Sequence, residues 1–120
     1  MRIESHTINN TIIAEVISDG VLIRNIEDGT DLLGNIYYQG FDKVVIREEN
    51  ISRDFFDLKS GLAGELLQKF SNYRVRLAIV GDFAKYPGKS LKDFIYESNK
   101  GRHVSFVPSM TAAMSVLSGK

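Results

Sequence analysis

Residues 51–82 read ISRDFFDLKSGLAGELLQKFSNYRVRLAIVGD, and this stretch decides the fold. It runs from a loop through an amphipathic helix into an apolar strand. From Leu58 the apolar positions are Leu58, Leu62, Leu66, Phe70 and Tyr73, with Ala63 and Leu67 beside them. That one-sided stripe is the mark of a helix laid on a core. Ser52 or Asp57 can cap the helix, and Ser60 and Gly61 sit where it begins. Residues 74–81, RVRLAIVG, form the strongest strand in the chain.

Upstream, residues 43–47 (KVVIR) are a short apolar run, expected for a strand buried on both faces. Glu48, Glu49 and Asn50 end it. Residues 25–39 read as a helix, with Asn25 as cap and Glu27 and Asp28 in the first turn, where the helix dipole favours acids. Ile26, Leu33, Ile36, Tyr37 and Gly40 fall near one face. Gly29 and Gly34 weaken this helix by about 1 kcal/mol each relative to Ala, and are expected to let it lie close to the sheet. Residues 11–18 form a β-branched strand that pairs with residues 2–8 across the Asn9-Asn10 turn. Val21-Leu22-Ile23 is either an extended piece or the lead-in to the helix.

Downstream, residues 82–89 form a loop marked by Pro87-Gly88. Ser90 caps a helix over residues 91–99, with Leu91, Phe94 and Ile95 inward and Gly101 as its stop. A strand over residues 103–107 and a helix over 110–118 complete the order β-β-α-β-α-β-α-β-α. Strand–helix–strand units with short links imply parallel strands and right-handed crossovers. The expectation is an α/β protein, one domain over residues 1–120. Its single open sheet is mixed but mostly parallel, with an N-terminal β-hairpin and covering helices.

Lys plus Arg and Asp plus Glu each total 15, so the formal net charge is zero, unlike the basic footprint of a nucleic-acid binder. The absence of cysteine removes disulfides, thiolate metal sites and cysteine nucleophiles together. No apolar run is long enough to span a bilayer, and residues 1–6 lack the apolar core of a signal peptide. A cytoplasmic protein is expected.

Ligands of open α/β sheets gather at the carboxyl ends of the strands. There the sequence places Glu48, Glu49 and Asn50, then Asp54 to Ser60, then Asp82 to Lys89, then Pro108 and Ser109. Ser60, at a helix start, is either a simple cap or a place where a phosphate would be electrostatically favoured. Gly61 and Gly64 match no phosphate-binding loop and read as packing residues. Asp54, Asp57 and Asp82 could together hold a hard cation, but each is also an ordinary cap or turn residue, and no metal or cofactor is expected. His6 and His103 lack the spacing of a catalytic or metal motif and read as structural or surface residues. Of Phe55 and Phe56, one ring is expected to plug the core and the other to stand exposed as an anchor for a protein partner.

The middle segment VVIREENISRDFFDLKSGLAGELLQKFSNYRVRLAIVG, with SLKDFIYESNKGRHVSFVPSMTAAM behind it, resembles the STAS fold of sulfate transporters and anti-sigma-factor antagonists. More narrowly, DFFDLKSGLAGELLQKFSNY, LAIVGDFAKY and SLKDFIYESNKGR resemble an uncharacterised bacterial family, domain of unknown function 4180, along the whole chain. That likeness implies a bacterial protein and carries no activity. The STAS likeness implies that Ser60 matches a serine phosphorylated by a partner kinase and Gly61 the glycine after it. The acidic start of the motif is displaced to Asp57, and Lys59 stands beside the serine.

Two readings follow. The first is a non-enzymatic regulatory module that binds a protein partner through Phe55, Phe56, Asp57, Lys59, Gly61 and Gly64, switched by phosphate on Ser60. The second is a small-molecule or nucleotide-binding domain, potentially enzymatic, that uses Asp54, Asp57, Lys59, Asp82, Lys85 and Tyr86. A homodimer through the two phenylalanines is a third option.

Overall fold

A computed structural model describes residues 1–119. The sheet has five strands: β1 (Arg2–Ile8), β2 (Thr11–Ile17), β3 (Lys43–Arg47), β4 (Arg76–Val80) and β5 (Val104–Val107). Four α-helices accompany it: α1 (Ile26–Tyr38), α2 (Leu62–Asn72), α3 (Lys89–Gly101) and α4 (Met110–Ser118). Strand order in space equals strand order in the chain, β1-β2-β3-β4-β5. β1 and β2 are antiparallel, from Arg2 opposite Ile17 to Ile8 opposite Thr11, and every later pair is parallel. Asn9 and Asn10 close the hairpin with φ of 52° and 64°, the left-handed pair that a two-residue turn requires.

This order dictates the layering. Each crossover steps one strand in the same direction, and right-handed crossovers that never reverse put their helices on one face. α1, α2 and α3 accordingly share the larger core. Leu33, Ile36, Leu66, Phe70 and Leu91 meet Ala14, Val16, Val44, Ile46, Leu77, Ile79 and Phe106 there. The opposite face offers Ile13, Val45, Ala78 and Val107, and α4 covers it with Ala113 and Leu117. A nine-residue helix is about 13 Å long, whereas five strands span about 19 Å. On that same face the hairpin carries polar groups, among them His6, which pairs with Ile13, and Glu15.

Several boundaries differ from the sequence reading, each for a local reason. The apolar stripe runs back to Leu58, but α2 itself begins at Leu62, directly after Ser60 and Gly61. Gly61 at φ +79° interrupts the helical path, and Leu58–Ser60 is a separate 3₁₀ turn capped by Asp57. β4 is shorter than residues 74–81 because Arg74, at φ +57°, closes α2. Val75 N–H donates to Phe70 O and Arg74 N–H to Ser71 O, both at 3.0 Å, a Schellman pattern with arginine in place of glycine. α3 starts after Gly88 with no side-chain cap, so Ser90 lies inside the helix. Its left-handed terminator is Arg102 at φ +62°, not Gly101.

Val21-Leu22-Ile23 is extended, with Ile23 bridged in parallel to Ile51. Tyr37 and Tyr73 lie outside the core, 55% and 46% exposed, and meet edge to face at 5.1 Å. Gly29 does allow a close approach, but to α2. A Cβ there would lie 2.5 Å from Leu66 Cδ1, while Gly34 faces open space.

Candidate functional site

The chain leaves β3 at Glu48 and is held there by Asn50. The buried side-chain amide of Asn50 donates to Ser18 O at 3.0 Å and Gly20 O at 2.8 Å, and the Asn50 backbone carbonyl accepts the N–H groups of Leu22 and Ile23. From this anchor the segment 52–61 descends in two short turns. Ser52 Oγ accepts the Asp54 N–H at 3.2 Å and starts the turn Arg53–Phe56. Asp57 Oδ1 accepts the Lys59 N–H at 3.2 Å and starts the next. Ser60 Oγ donates to Asp54 O at 2.5 Å and accepts Leu62 N–H at 3.2 Å, so it ties the first turn to the start of α2.

Phe55 and Phe56 are both buried, 1% and 5% exposed, which corrects the expectation of an exposed anchor and of a self-interface through the pair. Their rings meet edge to face at 5.0 Å, and Phe56 stacks on Tyr86 at 4.7 Å. A loop that carries adjacent rings buries both when a second aromatic loop packs over it, and here residues 83–86 do so. The packing roles expected of Gly61 and Gly64 also fail. A Cβ at either would meet nothing within 4 Å, and Gly61 matters for its positive φ alone. The close-packed glycine of this region is Gly81, where a Cβ would lie 2.5 Å from Glu48 Cβ.

Glu48 is the hub that joins β3 to the loop after β4. Its buried carboxylate accepts the Tyr86 hydroxyl, Lys85 Nζ at 2.8 Å and the Asp82 N–H at 3.2 Å. Burial alone would raise its pKa, but the hydrogen bonds from Lys85, Tyr86 and Asp82 and the charge of Lys85 outweigh it and hold the group below the ordinary 4.5. Burial, then the Glu48 hydrogen bond and charge, push the Tyr86 phenol well above its ordinary 10. The pair is thus a carboxylate and a neutral phenol at neutral pH, a fixed strut rather than an acid–base couple. Asp82 caps the turn Phe83–Lys85 by accepting the Ala84 N–H at 3.2 Å. Asp54, Asp57 and Asp82 do not converge into a cation site among the described residues.

Between the two loops lies a cleft of about 880 Å³ at the carboxyl ends of β3 and β4. Arg53, Asp54 and Lys59 line one side, Tyr86, Gly88 and Ser90 the other, with Phe56 between. A neighbouring hollow of about 610 Å³ shares Arg53 and Tyr86 and reaches Arg24, Glu49 and Lys85. The Arg53 guanidinium and Lys85 Nζ lie 5.9 and 5.5 Å from the Tyr86 ring centre. No histidine lines the cleft among the described residues. His103 precedes β5 at the opposite end of the strands, its Nε2 buried without a hydrogen-bond partner.

Of the residues expected at a site, the structure brings Asp54, Phe56, Asp57, Lys59 and Tyr86 together along the cleft and Lys85 into the adjoining hollow. Sequence reasoning sets Glu48 among the strand-end residues and Ser90 at a helix start but gives neither a contact in the site, and it does not single out Arg53. The signal available for Glu48 was its position as the first polar residue after an apolar strand.

Fold and cleft together define an α/β protein with a ligand-sized opening at its parallel strand ends. Residues 8–117 match the family described as Domain of unknown function (DUF4180), and the chain belongs to that family. No curated protein and no solved structure matches it. No helix among the described residues is long and apolar enough to cross a membrane.

Proposed function

We propose that this protein binds a small organic anion, a phosphate monoester or a carboxylate, in the cleft between residues 53–59 and 86–90. The observation that carries this reading is the cleft itself, about 880 Å³ at the carboxyl ends of parallel strands, the position and size at which α/β sheets take their ligands. Arg53 and Lys59 supply positive charge there with no ion pair among the described residues, whereas Lys85 is engaged with Glu48. Phe56 and Tyr86, stacked and braced by Glu48, give the opening an apolar, rigid wall. Asp54 and Asp57 beside the cations suit a ligand that also carries a donor or a cationic group.

The test is a panel of inorganic phosphate, nucleoside monophosphates and small carboxylic acids followed by amide NMR. The reading expects shifts at Arg53, Lys59, Tyr86 and Gly88. It also expects Arg53→Ala to weaken binding about tenfold, the loss of roughly 1.4 kcal/mol. Shifts confined to other surfaces, or silence across the panel, would overturn it.

A second reading is favoured by one observation. Ser60 is exposed, and both hydrogen bonds of its hydroxyl hold the lower wall of the cleft in place. A phosphate on Ser60 removes the donor to Asp54 O and sets negative charge near Asp54 and Asp57, which would loosen residues 53–60. On this reading the chain is a regulatory protein-interaction module like the anti-sigma-factor antagonists, with Ser60 as its switch. Ser60→Asp should then raise hydrogen exchange across residues 53–62 and change partner binding in pull-downs from the native cell. An unmodified Ser60 under all growth conditions would remove this reading and leave the ligand cleft untouched.

A further inference from the structure

The hairpin β1–β2 carries a separate constellation on the face that α4 only partly covers. In the hairpin register Glu4 lies opposite Glu15, and His6 follows Glu4 by two residues on the same face of β1. One carboxylate oxygen of Glu4, one imidazole nitrogen of His6 and one carboxylate oxygen of Glu15 all lie within 4.8 Å of one another. His6 Nε2 is already 2.7 Å from Glu15 Oε1. Glu15 is 8% exposed and is the one charged residue in the strand TIIAEVI.

Two features go beyond a local ion pair. Glu4 and Glu15 are like charges at directly opposed positions of an antiparallel pair, an arrangement that destabilises a hairpin unless a cation joins them. Arg47, reaching across from β3, holds the other Glu15 oxygen with Nη2 at 2.6 Å. It thereby fixes the carboxylate from behind and leaves Oε1 toward His6, as outer partners of metal-bound carboxylates do. Arg2 also reaches Glu4, at 2.9 Å, but both side chains are well exposed and that contact yields readily.

We propose that Glu4, His6 and Glu15 form a site for a divalent metal ion of the zinc class, with water completing a tetrahedron. One imidazole and two carboxylates are a donor set that zinc accepts, and three protein ligands leave one position open. Bonds of about 2.0–2.1 Å set the ligand atoms of one tetrahedral ion roughly 3.3 Å apart, so the His6–Glu15 contact at 2.7 Å would open and the exposed Glu4 side chain would turn inward as the ion binds. The ion would fasten β1, the most exposed strand, to β2. The site shares no residue with the cleft, so neither proposal depends on the other.

The test uses the full chain, stripped with chelator and titrated with zinc alone by calorimetry, with cobalt as a spectroscopic substitute. One equivalent should bind and raise the melting temperature. Cobalt should give the visible absorption of a four-coordinate site. Glu4→Gln and His6→Gln alter partly exposed side chains, so both should fold, and each should weaken zinc binding about tenfold or more. His103→Gln serves as control and should leave binding unchanged. Zinc binding that persists in both hairpin variants, binding lost with His103→Gln, or no binding to the unaltered chain would overturn the site.

Discussion

At the scale of single residues, Glu48 and Arg74 carry unusual burdens. Glu48 is a buried carboxylate whose pKa is held below the ordinary 4.5 by Lys85, Tyr86 and Asp82 against the effect of burial. A folded-state pKa below the unfolded one stabilises the protein above the unfolded value, and the contribution is lost as pH falls through the folded one. Acid unfolding followed by circular dichroism should therefore have a limb below about pH 4.5 that flattens in Glu48→Gln. At neutral pH the same variant should cost about 1–3 kcal/mol in urea unfolding, because it weakens the hold on Tyr86 and Lys85. Gly81→Ala should mimic part of that loss by pushing Glu48 off its partners. Arg74 sits at φ +57° where a helix end prefers glycine. Arg74→Gly relieves that strain, offset partly by the freer unfolded chain, and should raise stability by about 0.5–1 kcal/mol.

At the scale of elements, α1 and α2 meet where Gly29 leaves room for Leu66. A Cβ at 2.5 Å from a side chain that is 1% exposed cannot be absorbed freely. Gly29→Ala should destabilise the protein, since overpacking costs about 1–3 kcal/mol and helix propensity returns at most about 1. Combining it with Leu66→Val should cost less than the sum of the two single changes. A double-mutant cycle in urea checks this, and strict additivity would contradict the contact.

The elements themselves were largely legible. Period-2 and period-3.6 patterns, Asn9-Asn10 and Asn25 located the hairpin and α1 to within a residue or two. Ser60 and Gly61 marked the start of α2, although the apolar stripe continues back to Leu58 and only the backbone angle of Gly61 breaks it. The candidate site was legible as a place rather than as a set of contacts. Strand ends locate the cleft, but Glu48 meets its partners 34–38 residues away and Phe55-Phe56 is buried by a loop some 30 residues on. Such pairings are set by tertiary packing, which local pattern does not encode. The same holds for Glu15, whose partners are His6 and Arg47, nine and 32 positions distant.

At the scale of the molecule, the two faces of the sheet are unequally defended. Three helices cover one, and the single short α4 covers the other through Ala113 and Leu117. Leu117→Ala should accordingly cost about 2–5 kcal/mol, the range for a buried leucine whose cavity cannot collapse, measured as a lowered urea midpoint. The consecutive strand order has a further consequence for how the chain assembles as it is made. Every strand after the first joins a neighbour already synthesised, and no strand must be inserted between two others. Folding can advance from the N-terminus by successive docking, each step closing only a local loop. The face under α4 is the exception. Its apolar strip grows with every strand added and stays bare until residues 110–118 arrive, so an emerging chain is most exposed to aggregation just before its last helix seals it.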